Sequence, residues 1–155
     1  MIRNIREAYS YFKEFLKSRS GEVIRCMPKN FGRHRLIIAK LWYRGSSFIA
    51  KFYLVYQREW FEKFDKFYNY PAKACTLNLS ILNELVKNNI DRIVFINKDG
   101  QMLMISPREF LKIAKERGWI RKTRKTGEEV AHIPITFLRP LEFSGFQNKL
   151  EKYFR

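Results

Sequence analysis

Asp91-Arg-Ile-Val-Phe-Ile-Asn97, then Lys98-Asp99-Gly100, then Gln101-Met-Leu-Met-Ile-Ser106 is the stretch whose reading decides the fold. Two short apolar runs flank an Asp-Gly pair, which tolerates positive φ, so the stretch predicts a β-hairpin. Ser106-Pro107-Arg108-Glu109 then opens a helix: Ser at the cap, Pro at the first helical position, Glu three residues after the cap. Gly118 closes it. Towards the N-terminus, residues 59–90 read as helical. Trp60, Phe61, Phe64, Phe67 and Tyr68 recur at helical spacing, Tyr70-Pro71 breaks the run, and a second helix covers about 78–88. Residues 21–58 read as three strands, over 22–27, 35–43 and 47–57, with turns at Pro28–Gly32 and Arg44–Ser47. On the third strand both alternating faces carry apolar or aromatic residues, which marks a central strand. Residues 2–18 form an amphipathic helix with Ile5, Ala8, Tyr9, Phe12, Phe15 and Leu16 on one face. Beyond Gly118, residues 119–125 and 129–135 pair as strands. An amphipathic tail with Phe143, Phe146, Leu150 and Phe154 ends the chain. The order predicts an α+β fold: a single domain over residues 1–155, with a largely antiparallel or mixed β-sheet flanked by helices.

Composition narrows the function. The chain has 155 residues, 46% hydrophobic and 16% aromatic, a folded rather than a disordered balance. No apolar run approaches the roughly 20 residues of a membrane span, and the N-terminus lacks the apolar core of a secretory signal. Cys26 and Cys75 are too few for a disulfide framework or a four-cysteine zinc site; one disulfide or two isolated thiols remain. The expectation is a soluble cytoplasmic protein. Thirty-one Lys and Arg against fifteen Asp and Glu give a net charge of +16. Charge-rich thermophilic surfaces raise Glu together with Lys, whereas here the acids lag by half. A polyanionic partner is the natural reading, and with the aromatics that partner is nucleic acid.

A catalytic constellation is not legible. Metal-dependent nucleases converge two or three carboxylates on magnesium. Here no two acids are separated by a single residue, none is followed two positions later by Lys, and none lies between Glu22 and Glu59. Glu59, Glu62 and Asp65 alternate with Lys63 and Lys66, as on a solvated face. His34 sits between Arg33 and Arg35, and His132 within a strand; neither belongs to a metal-binding pattern. No phosphate-binding glycine loop occurs. The sequence therefore names no catalytic or metal-binding residue and calls for no cofactor.

The run from the helix at 78–87 through the strand at 92–97, the Asp99-Gly100 turn, the strand at 102–105 and the Ser106-Pro107 helix resembles the second half of restriction-endonuclease-like folds, such as archaeal Holliday-junction resolvases. The resemblance covers residues 78–117 and implies a nuclease fold. Its (Asp/Glu)-x-Lys motif would fall within residues 47–57, where this chain offers Lys51 and Gln57 but no carboxylate. The resemblance thus implies a member that is inactive or has relocated its metal ligands. In chemistry alone, the basic, aromatic-rich chain is similar to archaeal single-stranded-DNA-binding proteins of the ThermoDBP type, which hold bases in an apolar cleft.

The expected binding surface is the strand region. Its cations are Arg25, Lys29, Arg33, Arg35, Lys40, Arg44, Lys51 and Arg58. Its stacking candidates are Trp42, Tyr43, Tyr53 and Tyr56, preferred over Phe because their polar atoms tolerate water. Cations that neutralise phosphate beside rings that stack on bases are the combination of single-strand binders. A second patch is the arm Arg121, Lys122, Arg124 and Lys125. The expected function is binding of single-stranded DNA or RNA without catalysis. The alternatives are a divergent metal-dependent nuclease, and a structural or accessory protein, of viral or other origin, that self-associates through the C-terminal tail.

Overall fold

A computed structural model describes residues 1–140. The tail at 141–155, with the oligomer contact expected there, lies outside the described residues, as does the side chain of Tyr43. In chain order the elements are α1 (Ile5–Ser18), β1 (Glu22–Lys29), β2 (His34–Tyr43), β3 (Ser46–Tyr56), α2 (Phe64–Tyr68), β4 (Ala74–Asn78), α3 (Leu79–Lys87), β5 (Arg92–Ile96), β6 (Met102–Ile105), α4 (Pro107–Arg117), β7 (Ile120–Lys122), β8 (Glu129–Pro134) and β9 (Arg139–Pro140).

Local signals do what their chemistry dictates. The Ser106 hydroxyl accepts from the Glu109 N–H at 3.2 Å, Pro107 occupies the first turn of α4, and Gly118 ends it at φ +70°. The Asn4 side chain accepts from the Glu7 N–H at 2.9 Å and starts α1. β2 and β3 are joined through Arg44 and Gly45, at φ +50° and +79°. A two-residue loop with both residues at positive φ matches the twist of a hairpin.

The strands form two sheets. The first has the order β1-β2-β3-β5-β6-β9, the second β4-β8-β7. All neighbours in the first sheet are antiparallel except β3 and β5, which run parallel with Tyr53 opposite Ile93. A parallel neighbour requires a crossover, and residues 57–91 supply it by way of α2, β4 and α3. The fold is therefore α+β with a mixed principal sheet and a small antiparallel one. β1 is an edge strand; its pairing with β2 slips by a bulge between Val23 and Arg25, and Pro28 lies near its end.

Two apolar layers sandwich the principal sheet. On one face α1 brings Ala8, Phe12 and Leu16 against Ile37, Ala39, Leu41, Ala50, Phe52, Leu54, Val94 and Ile96. On the other, α3, α4 and the second sheet cover Tyr53, Val55, Ile93, Phe95 and Ile105. β3 is buried on both sides from Phe52 to Val55, as its two-sided apolar pattern predicts.

The helical expectation for residues 59–90 is corrected in its first half. α2 has five residues, and β4 follows it as a strand. The aromatics at helical spacing instead wrap around one another: the Phe64 ring lies 5.3 Å from Trp119 and 4.9 Å from Tyr68, and Phe61 stacks on His132 at 4.6 Å. β4 is fixed by Gln57, whose amide donates to the Ala74 carbonyl at 3.1 Å and accepts from the Thr76 N–H at 3.0 Å.

Phe12 has no exposed surface and meets Phe52 edge-on at 5.4 Å. Phe12→Ala should cost about 3–5 kcal/mol. Urea denaturation followed by circular dichroism measures it; a loss below about 1 kcal/mol would show that α1 does not close this side of the core.

Candidate nucleic-acid interface

The strand register separates the candidate residues by face. Antiparallel partners point to the same side of a sheet. Glu22, Arg25, Met27 and Lys29 of β1 therefore share a side with Leu36, Ile38, Lys40 and Trp42 of β2 and with Ser47, Ile49 and Lys51 of β3. This is the side that α3 covers, but its cover stops near Leu36 and Tyr53. Towards the far end of these strands the face opens to solvent: Trp42 is 46% and Ile49 53% exposed, and Arg25 and Lys51 are exposed. The Lys40 Nζ lies 4.8 Å from the centre of the Trp42 ring. The contact orders the ring by cation–π attraction and leaves it half open to solvent. Lys51 is held in register because its backbone N–H donates to the Asp91 carboxylate at 2.8 Å. Where α3 meets this face a cavity of about 390 Å³ opens, with Leu36, Ile38, Tyr53, Ile81, Leu85 and Ile90 as apolar lining and Lys29 and Lys51 among its polar residues.

Several expected contacts fall elsewhere. Tyr53 is only 4% exposed and its hydroxyl lies 2.6 Å from His34 Nδ1, so the ring is core and offers no stacking face. Tyr56 is on the α1 side, half-buried, with its hydroxyl donating to the Ile2 carbonyl at 2.7 Å. Arg35 turns its guanidinium back onto the carbonyls of Gly32 and His34 at 2.7 and 2.9 Å, so it braces its own turn. Arg33, Arg44 and Arg58 are exposed in or beside loops, off the strand face. Tyr43 is placed on β2 opposite Ser46.

The second patch is divided. Arg121 is half-buried: its Nε donates to His132 Nε2 at 3.1 Å, and its guanidinium lies 4.5 Å from the Phe67 ring centre and 5.5 Å from that of Phe61. It is part of the aromatic cluster. Lys122, Arg124 and Lys125 are exposed at the β7–β8 connection. Phe31, outside the stacking candidates, is fully exposed in the β1–β2 turn; the turn composition of Asn30 and Gly32 on either side is the sequence signal for it.

Among the described residues no three of His, Cys, Asp and Glu converge as metal ligands. Gln57, placed by the resemblance in the motif region, is spent on holding β4. The thiols are free and lie in different layers, Cys26 half-buried on the α1 side and Cys75 on β4, buried in the core on the other side. Burial pushes both thiols up, Cys75 well above its ordinary value.

Both histidines are buried and neutral. Desolvation, reinforced by Arg33, lowers His34 to about 4; desolvation, reinforced by Arg121, lowers His132 to about 4. Because Arg121 donates to His132 Nε2, the ring proton sits on Nδ1, 2.8 Å from the Thr76 hydroxyl.

No protein-family model and no curated protein matches the sequence. The chain is similar in structure to a nuclease from a fusselovirus, with a TM-score of 0.55 and 13% identity, over 100% of this chain and 99% of that one. The likeness is one of fold and spans the whole chain.

The histidines set a pH dependence of stability. Their folded values lie below the ordinary 6.5, so between pH 6.5 and about 4 the unfolded chain takes up protons that the native one refuses. The stability is complete above pH 6.5 and falls as the pH drops towards 4, by roughly 2–3 kcal/mol per histidine. Urea midpoints at pH 7, 5.5 and 4.5 should fall in that order, and less steeply with His34→Gln and His132→Gln combined. Equal slopes in the two proteins would assign the acid sensitivity to other groups.

Proposed function

We propose that the protein binds nucleic acid, single-stranded DNA or RNA in preference to duplex, through the uncovered end of the β1–β2–β3 face. The observation that carries the reading is the Lys40–Trp42 pair, half open beside Ile49 and Lys51 on a chain of net charge +16. Arg25, Lys29, Lys40 and Lys51 supply the positive field along the face, and Trp42 supplies a ring on which an unpaired base stacks. Duplex hides its base faces, so a platform of this kind discriminates where charge alone does not. The exposed Lys122, Arg124 and Lys125 add a sequence-independent phosphate contact. A second reading, cleavage of the bound strand with a metal ion, is favoured by the fold shared with a viral nuclease.

Titration of a labelled single strand at increasing salt tests the electrostatic part. Affinity should fall with a log–log slope of about −0.7 per phosphate contact. A flat response would remove it. Lys122→Gln, Arg124→Gln and Lys125→Gln together should flatten that slope without lowering the melting temperature. Incubation with magnesium or with EDTA separates the two readings: a mobility shift without shortening supports binding, and magnesium-dependent shortening supports the nuclease.

The platform is tested by Trp42→Ala. It should weaken single-strand binding by roughly 1–3 kcal/mol and leave duplex binding nearly unchanged, with little change in melting temperature because the ring is half in solvent. An early-melting variant whose folded fraction binds normally would make Trp42 a packing residue instead.

A further inference from the structure

We propose that Phe31, at the apex of the β1–β2 turn, is a finger that stacks on an unpaired nucleobase; the assignment rests on the nucleic-acid reading above and names a second contact for it. The turn carries three successive residues in left-handed backbone, Asn30, Phe31 and Gly32, at φ +50°, +56° and +83°. Glycine and asparagine accept this region; a bulky aromatic residue resists it. The strain secures no packing, since the Phe31 side chain is fully exposed.

The turn is nonetheless ordered by hydrogen bonds. The Gly32 N–H donates to the Lys29 carbonyl and the Arg33 N–H to the Asn30 carbonyl, each at 3.1 Å. The Arg35 guanidinium clamps the Gly32 and His34 carbonyls from below. A strained, braced turn that holds an apolar ring in water is a cost to the folded state, and such costs persist where a partner uses them. The charges nearby identify that partner. Lys29 and Arg33, both exposed, stand two positions to either side of Phe31 in the chain, so an occupant that is apolar and flat where it meets Phe31 and anionic beside it, as a nucleotide strand is, matches the turn. Phe31 follows β1 at the end of β2 opposite Trp42. Eight residue steps separate His34 from Trp42, about 26 Å at the strand rise, with the covered stretch around Leu36 and Tyr53 between them, so Phe31 is a contact separate from the Trp42 platform.

The test compares wild type with Phe31→Ala on three probes: a thymidine oligonucleotide, an abasic chain of the same length, and vesicles rich in anionic phospholipid. Because the ring touches nothing, the melting temperature should not change. Phe31→Ala should weaken oligonucleotide binding roughly fivefold or more, leave abasic-chain binding unchanged, and be rescued by Phe31→Trp. Unchanged oligonucleotide affinity with a persisting salt slope would overturn the finger and leave the nucleic-acid reading standing. Equal losses on the two chains would overturn it in favour of a backbone contact. Vesicle binding that depends on Phe31, with oligonucleotide binding unaffected, would assign the ring to a lipid surface. Absence of wild-type binding to either chain at low salt would overturn both proposals.

Discussion

Burial of β3 on both faces is the constraint on which the rest of the structure depends. From Phe52 to Val55 consecutive side chains point alternately into the α1 layer and into the layer built by α3, α4 and the second sheet. A strand so enclosed carries no unpaired charge, because an isolated buried charge costs far more than one residue's packing returns. It must also be paired on both edges, by β2 on one side and β5 on the other. The parallel pairing with β5 then forces the chain to cross the sheet between residues 57 and 91, and that crossover supplies β4, the strand on which β8 and then β7 add to make the second sheet.

The same constraint divides β3 lengthwise. Its second half is core, whereas its first half, from Ser46 to Lys51, carries exposed side chains on the side away from α1. The proposed binding face therefore lies where packing stops. Charge tolerates this position because Lys40 and Lys51 reach water there, and Trp42 tolerates it because one ring face rests near Lys40. The four central apolar residues fix the strand positions that hold these groups, so the face is built on a rigid element rather than on a loop.

What was legible in the sequence was what depends on neighbours in the chain. The Asp99-Gly100 turn, the Ser106 cap and Pro107, the Gly118 stop and the three strands before residue 58 each follow from a few consecutive residues. β4 does not: Ala74-Cys-Thr-Leu-Asn78 becomes a strand because it pairs with β8, more than fifty residues later, and because Gln57 ties it in place. The aromatics of 61–68 mimic a helical stripe while serving a cluster around His132 and Trp119. On β3, alternation puts Ile49, Lys51 and Tyr53 on one face; the pairing with β2 adds Lys40 and Trp42 to it. Alternation could not tell where α3 ends, so Tyr53, on the same face as Trp42, passed for a platform when it is core. The preference for Tyr and Trp over Phe discarded Phe31, whose exposure is a property of its turn and not of its residue type.

β1 closes the open face at its outer edge, and its irregularities have a consequence for that face. An edge strand normally offers a row of free amides and carbonyls to any passing strand. Here the bulge between Val23 and Arg25 breaks the spacing of that row, Pro28 removes a donor, and Arg25 and Lys29 bring like charge to a second copy. Strand addition is thereby discouraged along the margin of the surface that carries Trp42 and Ile49. The molecule thus keeps an apolar, aromatic sheet face in water while denying it the usual route to fibrous assembly, which is extension of the sheet from its edge.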